Sequence, residues 1–278
     1  MNTTLSFGKG NAKLDGFIQT LSLPSGYTCP GADACLSKAN RDSGKITDGP
    51  NCQFRCFSAS QECLFRNVRN SRWNNFELLR AAGSSQGMTD LILASLPQSP
   101  FQVVVRIHVS GDFFNQSYFD AWVAVAKARP HFLLYAYTKS LPFWVARLNN
   151  IPSNLILTAS FGGKFDSLIA QHNLRYAKVV YTEDEAKTLG LEIDHDDSHA
   201  YKNGPSFALL LHGTQPAGTE SNLALRLLRK AGKGGYGGTY DVHKKEKIKK
   251  SYGGIAKTKA RGTTPPVVGA KSVSAEAA

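Results

Sequence analysis

The sequence predicts an α/β protein with a partial (βα)6 TIM-like barrel, a parallel sheet and a flexible basic C-terminal tail. Six strand-then-helix units follow one another, and the strands after the first begin near residues 102, 132, 154, 177 and 206. This spacing of about 22–30 residues is typical of βα repeats. The strands are near-continuous apolar runs, which indicates burial on both faces and therefore parallel pairing.

Two architectures accommodate six such units, the partial barrel and an open doubly wound sheet. In both, ligands bind at the carboxyl ends of the strands. The chain of 278 residues is predicted to divide into an α/β domain over residues 1–231 and a basic Gly/Lys-rich tail over residues 232–278.

The first unit contains the cysteines. Residues 17–23 alternate and end at Pro24, which predicts a strand, and a turn-rich loop with most of the cysteines follows. A helix is predicted over residues 58–82, with Leu64 and Val68 on its apolar side and Gly83 as its C-terminal cap. A shorter helix over residues 88–96 ends before Pro97.

The later units follow a regular pattern. Strand and helix are predicted in turn at residues 102–109 and 117–128, 132–137 and 142–148, 154–160 and 165–172, 177–181 and 183–189, and 206–212 and 221–230. The fifth helix has Thr182 as its N-cap, Glu185 three residues later in a capping box, and Gly190 at its end.

Composition excludes several classes of protein. Fifteen Phe, ten Tyr and three Trp are too many for a fully disordered chain. Since no window approaches about 18 uninterrupted apolar residues, no membrane span is predicted. Residues 1–10 lack an apolar signal core, so we expect a protein that is not exported and that stays in a reducing compartment.

The net charge of +12 is unevenly distributed. Residues 232–278 hold ten Lys and Arg against three acidic residues, a net +7, whereas residues 1–231 hold 23 against 18, a net +5. A basic, Gly-rich tail is typical of segments that bind nucleic acid through phosphates. The alternative is a solvated, flexible tail without a ligand.

Five cysteines lie within 35 residues, at Cys29, Cys35, Cys52, Cys56 and Cys63. An odd number cannot all form disulfides, and disulfides do not persist in a reducing compartment. The flanking Gly and Pro residues allow backbone amides to hydrogen-bond the sulfurs of a cluster. The pattern favours an iron–sulfur cluster, with a zinc site or structural thiols as the alternatives.

Polar and small residues collect where the predicted strands end. Ser110, Gly111 and Asp112 follow the second strand, where a glycine allows close approach of a ligand and an aspartate can bind an ammonium group. The alternative is an ordinary strand-to-helix turn. His108 is a core histidine or a site residue, and Lys139 is either solvated or a ligand for a carboxylate or phosphate.

The run Asp194-His195-Asp196-Asp197-Ser198-His199 is rich in oxygen and imidazole ligands. It follows the fifth helix, which places it on the opposite rim from the cysteines unless the chain folds back. It is either a site for a hard metal ion or a solvated acidic loop.

The placement of these groups resembles the radical S-adenosylmethionine enzymes. In that family the cluster cysteines follow strand one of a partial barrel, and a motif after strand two holds the methionine amino group of the cofactor. The resemblance implies a [4Fe–4S] cluster, S-adenosylmethionine as a second cofactor, and a cofactor-binding role for Ser110, Gly111 and Asp112. The family spacing is C-x3-C-x2-C, whereas here the spacing is C-x5-C-x16-C-x3-C-x6-C.

A second resemblance covers nearly the whole chain. It rests on the sequences LSLP to CPG at residues 21–31, RCF at 55–57, residues 108–114, YTKS at 137–140 and ALLLHGTQPAG at 208–218. These resemble the bacteriophage gene product eighty-eight family, which implies a phage protein in the cytoplasm of an infected bacterial host. Its pattern emphasises the cysteines that match Cys29, Cys35 and Cys56.

The fourth metal ligand predicted is Cys52, because a tight loop or one helical turn brings residues four apart onto one cluster. Cys63 lies seven residues after Cys56, about 10.5 Å along a helix, and is expected to pack in the core instead.

Two classes of function remain. An enzyme would keep one iron open for S-adenosylmethionine. A protein without that chemistry would hold a structural or electron-transferring cluster, or zinc, and would bind nucleic acid or a host partner through its tail.

Overall fold

The computed structural model describes residues 3–10 and 14–232. Its strands are β1 (Gly8–Lys9), β2 (Gln19–Ser22), β3 (Ser37–Ala39), β4 (Ile46–Asp48), β5 (Val104–Ser110), β6 (Leu133–Thr138), β7 (Leu155–Ser160), β8 (Tyr176–Val180), β9 (Glu192–Ile193) and β10 (Phe207–Leu210). Eight of these described strands form one sheet in the order β1-β2-β5-β6-β7-β8-β10-β9, and β3 and β4 form a separate hairpin.

The helices of the described residues are α1 (Phe57–Leu64), α2 (Arg66–Ala81), α3 (Ser85–Ser95), α4 (Gln116–Ala128), α5 (Leu141–Val145), α6 (Ser167–Gln171), α7 (Glu183–Thr188), α8 (Ser198–Tyr201) and α9 (Glu220–Lys230), with a 3-10 turn at Leu148–Asn150. None of them is long and apolar enough to cross a bilayer.

The sheet is mostly parallel, as predicted. Every neighbouring pair from β2 to β9 is parallel, and only β1 runs antiparallel to its neighbour. From β2 to β10 the strands lie side by side in the order of the chain, whereas a doubly wound sheet reverses its order at a switch point. The edge strands β1 and β9 are not paired with each other in the described residues, so no closed barrel forms.

The two faces of the sheet pack against different partners. One face carries Val105, Ile107 and Leu134 and packs against α3 and α4, with the buried Trp122 at its centre. The other face packs a smaller cluster, including Tyr135, against α8. Burial on both faces explains why the strands are near-continuous apolar runs.

The long helix predicted over residues 58–82 is interrupted. Phe65 adopts an extended conformation and separates α1 from α2. Leu64 at the end of α1 is 70% exposed and Val68 in the first turn of α2 is 36% exposed, whereas Leu79 further along α2 is buried. The expectation that Leu64 and Val68 lie on the apolar side is therefore wrong.

The α1–α2 corner is stabilised by a buried ion pair. Arg72 Nη1 donates to Glu62 Oε1 at 2.7 Å, and both side chains are almost completely buried. The same carboxylate oxygen accepts from the Ser25 backbone amide at 2.9 Å and from the Ser110 hydroxyl at 3.2 Å. Glu62 thus connects the helix to the loops that follow β2 and β5.

The predicted tail, residues 232–278, lies outside the described residues except for Gly232.

The substitution Arg72→Met should lower the free energy of unfolding by about 3–5 kcal/mol, because it leaves the Glu62 carboxylate buried without its cation. Urea unfolding measures this loss. The control is Lys187→Met, which removes an exposed ion pair with Asp184 and should change stability by less than about 1 kcal/mol. Equal effects of the two substitutions would contradict this account of the corner.

Candidate functional site

Residues 28–56, here called the cysteine segment, lie across the carboxyl ends of the parallel strands. The Ala34 amide donates to the Gly162 carbonyl after β7 at 3.0 Å. Beyond β8 and β10, the Tyr181 hydroxyl donates to the Gln53 carbonyl at 3.1 Å, and the Arg55 amide donates to Gln215 Oε1 at 2.7 Å. The cysteines therefore lie at the edge of the sheet where the sequence predicts ligand binding.

Two glycines allow this segment to approach the strand ends closely. A Cβ on Gly31 would overlap the Lys139 carbonyl after β6. Gly111, after β5, has φ +82°, and a Cβ there would lie 2.7 Å from the Leu23 Cβ and 2.5 Å from the Thr28 hydroxyl. The sequence predicts that Gly111 allows close approach of a ligand. In the structure, Gly111 allows close approach of the cysteine segment instead.

Three thiols form the centre of the site. Burial raises the pKa of Cys29 well above its ordinary value, and the neighbouring Asp112, Cys56 and Cys35 raise it further. Burial, with a contribution from Cys35, raises the pKa of Cys56 to about 11, although the Ala59 and Ser58 amides at the start of α1 partly offset it. These three residues each keep part of their surface accessible. Cys29, Cys35 and Cys56 therefore lie within electrostatic reach of one another.

Cys52 lies at the border of this group. Its thiol donates to the Phe54 carbonyl at 3.3 Å and lies 3.8 Å from the Ser37 hydroxyl. Burial raises the pKa of Cys52, with smaller contributions that include Cys56. Cys52 thus lies beside the thiol centre, and its sulfur already contacts the Phe54 carbonyl and the Ser37 hydroxyl.

Cys63 lies near the end of α1 and is exposed. The expectation that it packs in the core is wrong, because the helix ends immediately afterwards and turns its last residues toward solvent.

Asp112 is buried and binds protein groups. Its Oδ1 accepts from the Thr138 hydroxyl at 2.6 Å and the Phe113 amide at 2.7 Å, and its Oδ2 accepts from the Lys139 amide at 2.8 Å. Burial raises the pKa of Asp112, and these donors oppose that shift. Three donors leave one of the four usual acceptor positions of a carboxylate. A cofactor-binding role for Ser110, Gly111 and Asp112 stays a prediction.

Lys139 is buried, so the alternative of a solvated lysine is wrong. Its ammonium donates to the Ser160 carbonyl and hydroxyl, both at 2.9 Å, and to the Phe161 carbonyl at 2.6 Å. Burial raises the pKa of Cys35, and Lys139 is the group that opposes this most strongly. A positive charge therefore lies beside the thiols.

His108 is a core residue. Its Nε2 lies 3.2 Å from the Tyr118 hydroxyl of α4, and burial lowers its pKa to about 3. It is therefore neutral at ordinary pH and belongs to the packing of helix against sheet.

The acidic run after β9 folds back onto the sheet. Asp197 is completely buried, forms an ion pair with Arg106 of β5, and accepts from the Tyr135 hydroxyl at 3.2 Å. Asp194 is also buried and lies 3.1 Å from His199 Nδ1. The run is therefore solvated only in part: His195 and Asp196 are exposed, whereas Asp194 and Asp197 are buried and bound by protein groups.

Several residues of the site escaped the sequence analysis. The Ser37 hydroxyl in β3 lies 3.8 Å from the Cys52 sulfur and accepts from the Cys56 amide at 3.2 Å. Gln215 binds both the amide and the carbonyl of Arg55. Gln215 follows a predicted strand, which is a typical position for a residue of a ligand site. The sequence around Ser37 contains no such signal.

Within the described ranges, no three His, Cys, Asp or Glu side chains are grouped so that one metal ion could bind among them. This applies to the thiols and equally to the run at residues 194–199.

Comparisons with known proteins relate the chain to one phage protein family. Residues 1–232 match the family model "Gene product 88". The Gene 88 proteins of Mycobacterium phages L5 and D29 are each 28% identical over 138 residues, or 47% of this chain. The matches cover 51% and 50% of these relatives, so the chain spans about half the length of the curated relatives it matches. No solved structure matches the chain.

The substitution Gly31→Ala should destabilise the protein by about 1–3 kcal/mol, because the new methyl group would displace the Lys139 backbone. Urea unfolding of the substituted protein measures the loss. Gly204→Ala is the matched control, since a Cβ there meets open space. A Gly31→Ala protein as stable as the control would show that the cysteine segment does not need this contact.

Metal-free protein at pH 8 should react with iodoacetamide first at the exposed Cys63. A pKa of about 11 leaves roughly one Cys56 thiol in a thousand ionised at that pH, and the thiolate is the reactive form. Peptide mass spectrometry over time measures each site, and urea-unfolded protein, where the sites should react alike, is the control. Equal rates in the native protein would contradict the burial of the thiol centre.

Proposed function

The chain belongs to the Gene product 88 family, and on that premise we propose that it is a phage-encoded protein that binds a [4Fe–4S] cluster. Cys29, Cys35 and Cys56 are the proposed ligands, with Cys52 as the candidate fourth. The observation that carries the proposal is the gathering of three thiols within electrostatic reach of one another at the carboxyl edge of a parallel sheet.

The local chemistry supports cluster binding. Cluster sulfur ligands are stabilised by hydrogen bonds from nearby groups, and the amides at the start of α1 lie at the Cys56 sulfur. A cluster with thiolate ligands carries negative charge, and the buried Lys139 ammonium supplies a positive charge beside Cys35. Its hydrogen-bond partners are carbonyls and a hydroxyl, so its charge is not cancelled by a hydrogen-bonded carboxylate.

One zinc ion and a four-iron cluster require different spacings of the sulfur atoms. A tetrahedral zinc ion with Zn–S bonds of about 2.3 Å needs sulfurs about 3.8 Å apart. The described side chains do not enclose such a point. In a four-iron cluster each thiolate binds its own iron, so the sulfurs stand further apart.

The radical-enzyme resemblance supports an enzymatic form of this proposal. With Cys29, Cys35 and Cys56 as its three protein ligands, a bound cluster would leave one iron open to S-adenosylmethionine and, once reduced by an external electron donor, would supply the electron for cleaving it. Asp112 lies beside Cys29 and Cys35 and retains one acceptor position for an ammonium group. The in-order strands support the partial-barrel architecture that this reading requires.

The competing form is a structural or electron-transferring cluster with four protein ligands. Cys52 favours it, because its sulfur lies beside the thiol centre and would have to give up only the Phe54 and Ser37 contacts. In either form we place the protein in the cytoplasm of the infected host, with the basic tail as a binding segment for nucleic acid.

Single Cys→Ser substitutions test the ligands. Anaerobically purified protein should be brown, with a broad absorption shoulder near roughly 400 nm. Cys29→Ser, Cys35→Ser and Cys56→Ser should each lose most of the iron and become less stable, because metal binding is coupled to folding. Iron and sulfide content per chain is the measurement, and Cys63→Ser is the matched control that should keep its iron.

The result for Cys52→Ser separates the two forms. Retained iron, together with a change in the EPR signal of the reduced cluster on adding S-adenosylmethionine, supports the enzyme. Lost iron supports four protein ligands. Colourless wild-type protein carrying stoichiometric zinc, or full iron in Cys29→Ser or Cys35→Ser, would overturn the cluster proposal.

A further inference from the structure

We propose that the β3–β4 hairpin and helix α2 form a binding surface for single-stranded nucleic acid, separate from the basic tail and from the thiol centre. The surface consists of Tyr27, Trp73 and Phe76, with the cations Lys38, Arg41 and Arg80 placed over their rings. We call it the aromatic–cation surface.

The segment that carries this surface is basic. Residues 36–82 hold eight Lys and Arg against four acidic residues, a net +4. Arg69 and Arg72 are buried within it, whereas Lys38, Arg41 and Arg80 are exposed. These three exposed cations can attract phosphates.

Each ring of the surface carries its own cation. Lys38 Nζ lies 5.4 Å from the centre of the Tyr27 ring, and the Arg41 guanidinium lies 5.0 Å from that of Trp73. The Arg80 guanidinium lies 5.7 Å from the centre of the Phe76 ring.

The rings themselves form a continuous row. The Tyr27 and Trp73 centres are 4.9 Å apart, and the Trp73 and Phe76 centres are 6.0 Å apart. Tyr27 is 39% exposed, and the three cations are exposed. Trp73 and Phe76 are partly buried and support Tyr27, whose exposed ring can stack on a base while the exposed cations bind the backbone beside it.

The surface is held rigidly in place. The guanidinium of Arg69, which is buried in α2, donates to the Arg41 carbonyl at 2.7 Å and to the Asp42 carbonyl at 3.2 Å. The hairpin turn is therefore fastened to α2. Gly26 has φ +70° and allows the loop before Cys29 to lie against Lys38 of β3. A preformed surface loses less conformational freedom on binding.

A single strand fits this surface better than an acidic peptide does. Charge alone would attract both, but a row of rings adds stacking energy only for a ligand with flat, unpaired bases. A duplex hides its base faces and can use the cations alone.

The main experiment compares two triple variants of the full-length protein. K38A/R41A/R80A removes the three cations of the surface, and K127A/K187A/K202A removes three exposed lysines from α4, α7 and the end of α8. Both lose the same charge and keep the tail. Fluorescence anisotropy measures binding of labelled 20-mers of thymidine and of uridine between 50 and 200 mM salt.

The surface variant should bind on the order of tenfold more weakly, and its salt slope should fall by about 2, since each phosphate contact to a single strand contributes about 0.7. The control should keep the affinity and slope of the wild type. Binding of only one of the two oligomers identifies the surface as specific for DNA or for RNA.

A second pair of variants isolates stacking. Tyr27→Ala should weaken binding about tenfold with an unchanged salt slope, whereas Tyr27→Phe should bind like the wild type. Unchanged circular dichroism and unchanged urea unfolding show that both variants are folded.

A third variant should increase affinity. Glu77 forms an exposed ion pair with Arg41, so Glu77→Gln frees that guanidinium for phosphate. A several-fold gain in affinity is expected.

Three results would each overturn the proposal: equal binding by the two triple variants, equal competition by polyglutamate and the oligomers, or an unchanged affinity of Tyr27→Ala.

Discussion

The structure depends on one constraint, the close seating of the cysteine segment on the carboxyl ends of the strands. Backbone groups make most of these contacts: the Gly31 carbonyl accepts from the Lys164 amide at 2.9 Å, and Ala34 bonds Gly162. Such contacts fix the path of the chain through main-chain atoms, and they require that position 31 has no side chain. The thiols can therefore project from a rigid base, which a metal site requires if its ligands are to be held in advance.

Two charged side chains are buried at this base, where apolar packing alone would require none. Asp112 and Lys139 are both buried at the strand ends, and each is satisfied mainly by backbone or hydroxyl groups. Burying an ionised group is unfavourable unless its partners compensate it. Burying the Asp112 carboxylate and the Lys139 ammonium beside three thiols costs free energy. Such an arrangement is typical of functional sites rather than of packing.

Much of the fold was predictable because its signals are local. The apolar runs of β5 to β8 identify buried parallel strands, and the Thr182 cap of α7 forms as predicted, with its hydroxyl accepting from the Glu185 amide at 3.0 Å. The hairpin was missed, because Ser37-Lys38-Ala39 lacks a strand pattern and is held by Arg69 of a distant helix. The burial of Asp197 was equally impossible to predict from the sequence, since its partner Arg106 is 91 residues away.

The hairpin also connects the two surfaces of the protein. It occupies the stretch between Cys35 and Cys52, so the chain that presents thiols to the sheet edge turns outward and presents Lys38 to solvent. Ser37 and Lys38 are adjacent in β3, and alternation along a strand points them to opposite sides: Ser37 is buried beside Cys52, and Lys38 is exposed over Tyr27. One short strand therefore contributes a residue to each of two places, Lys38 to the aromatic–cation surface and Ser37 to the border of the thiol centre.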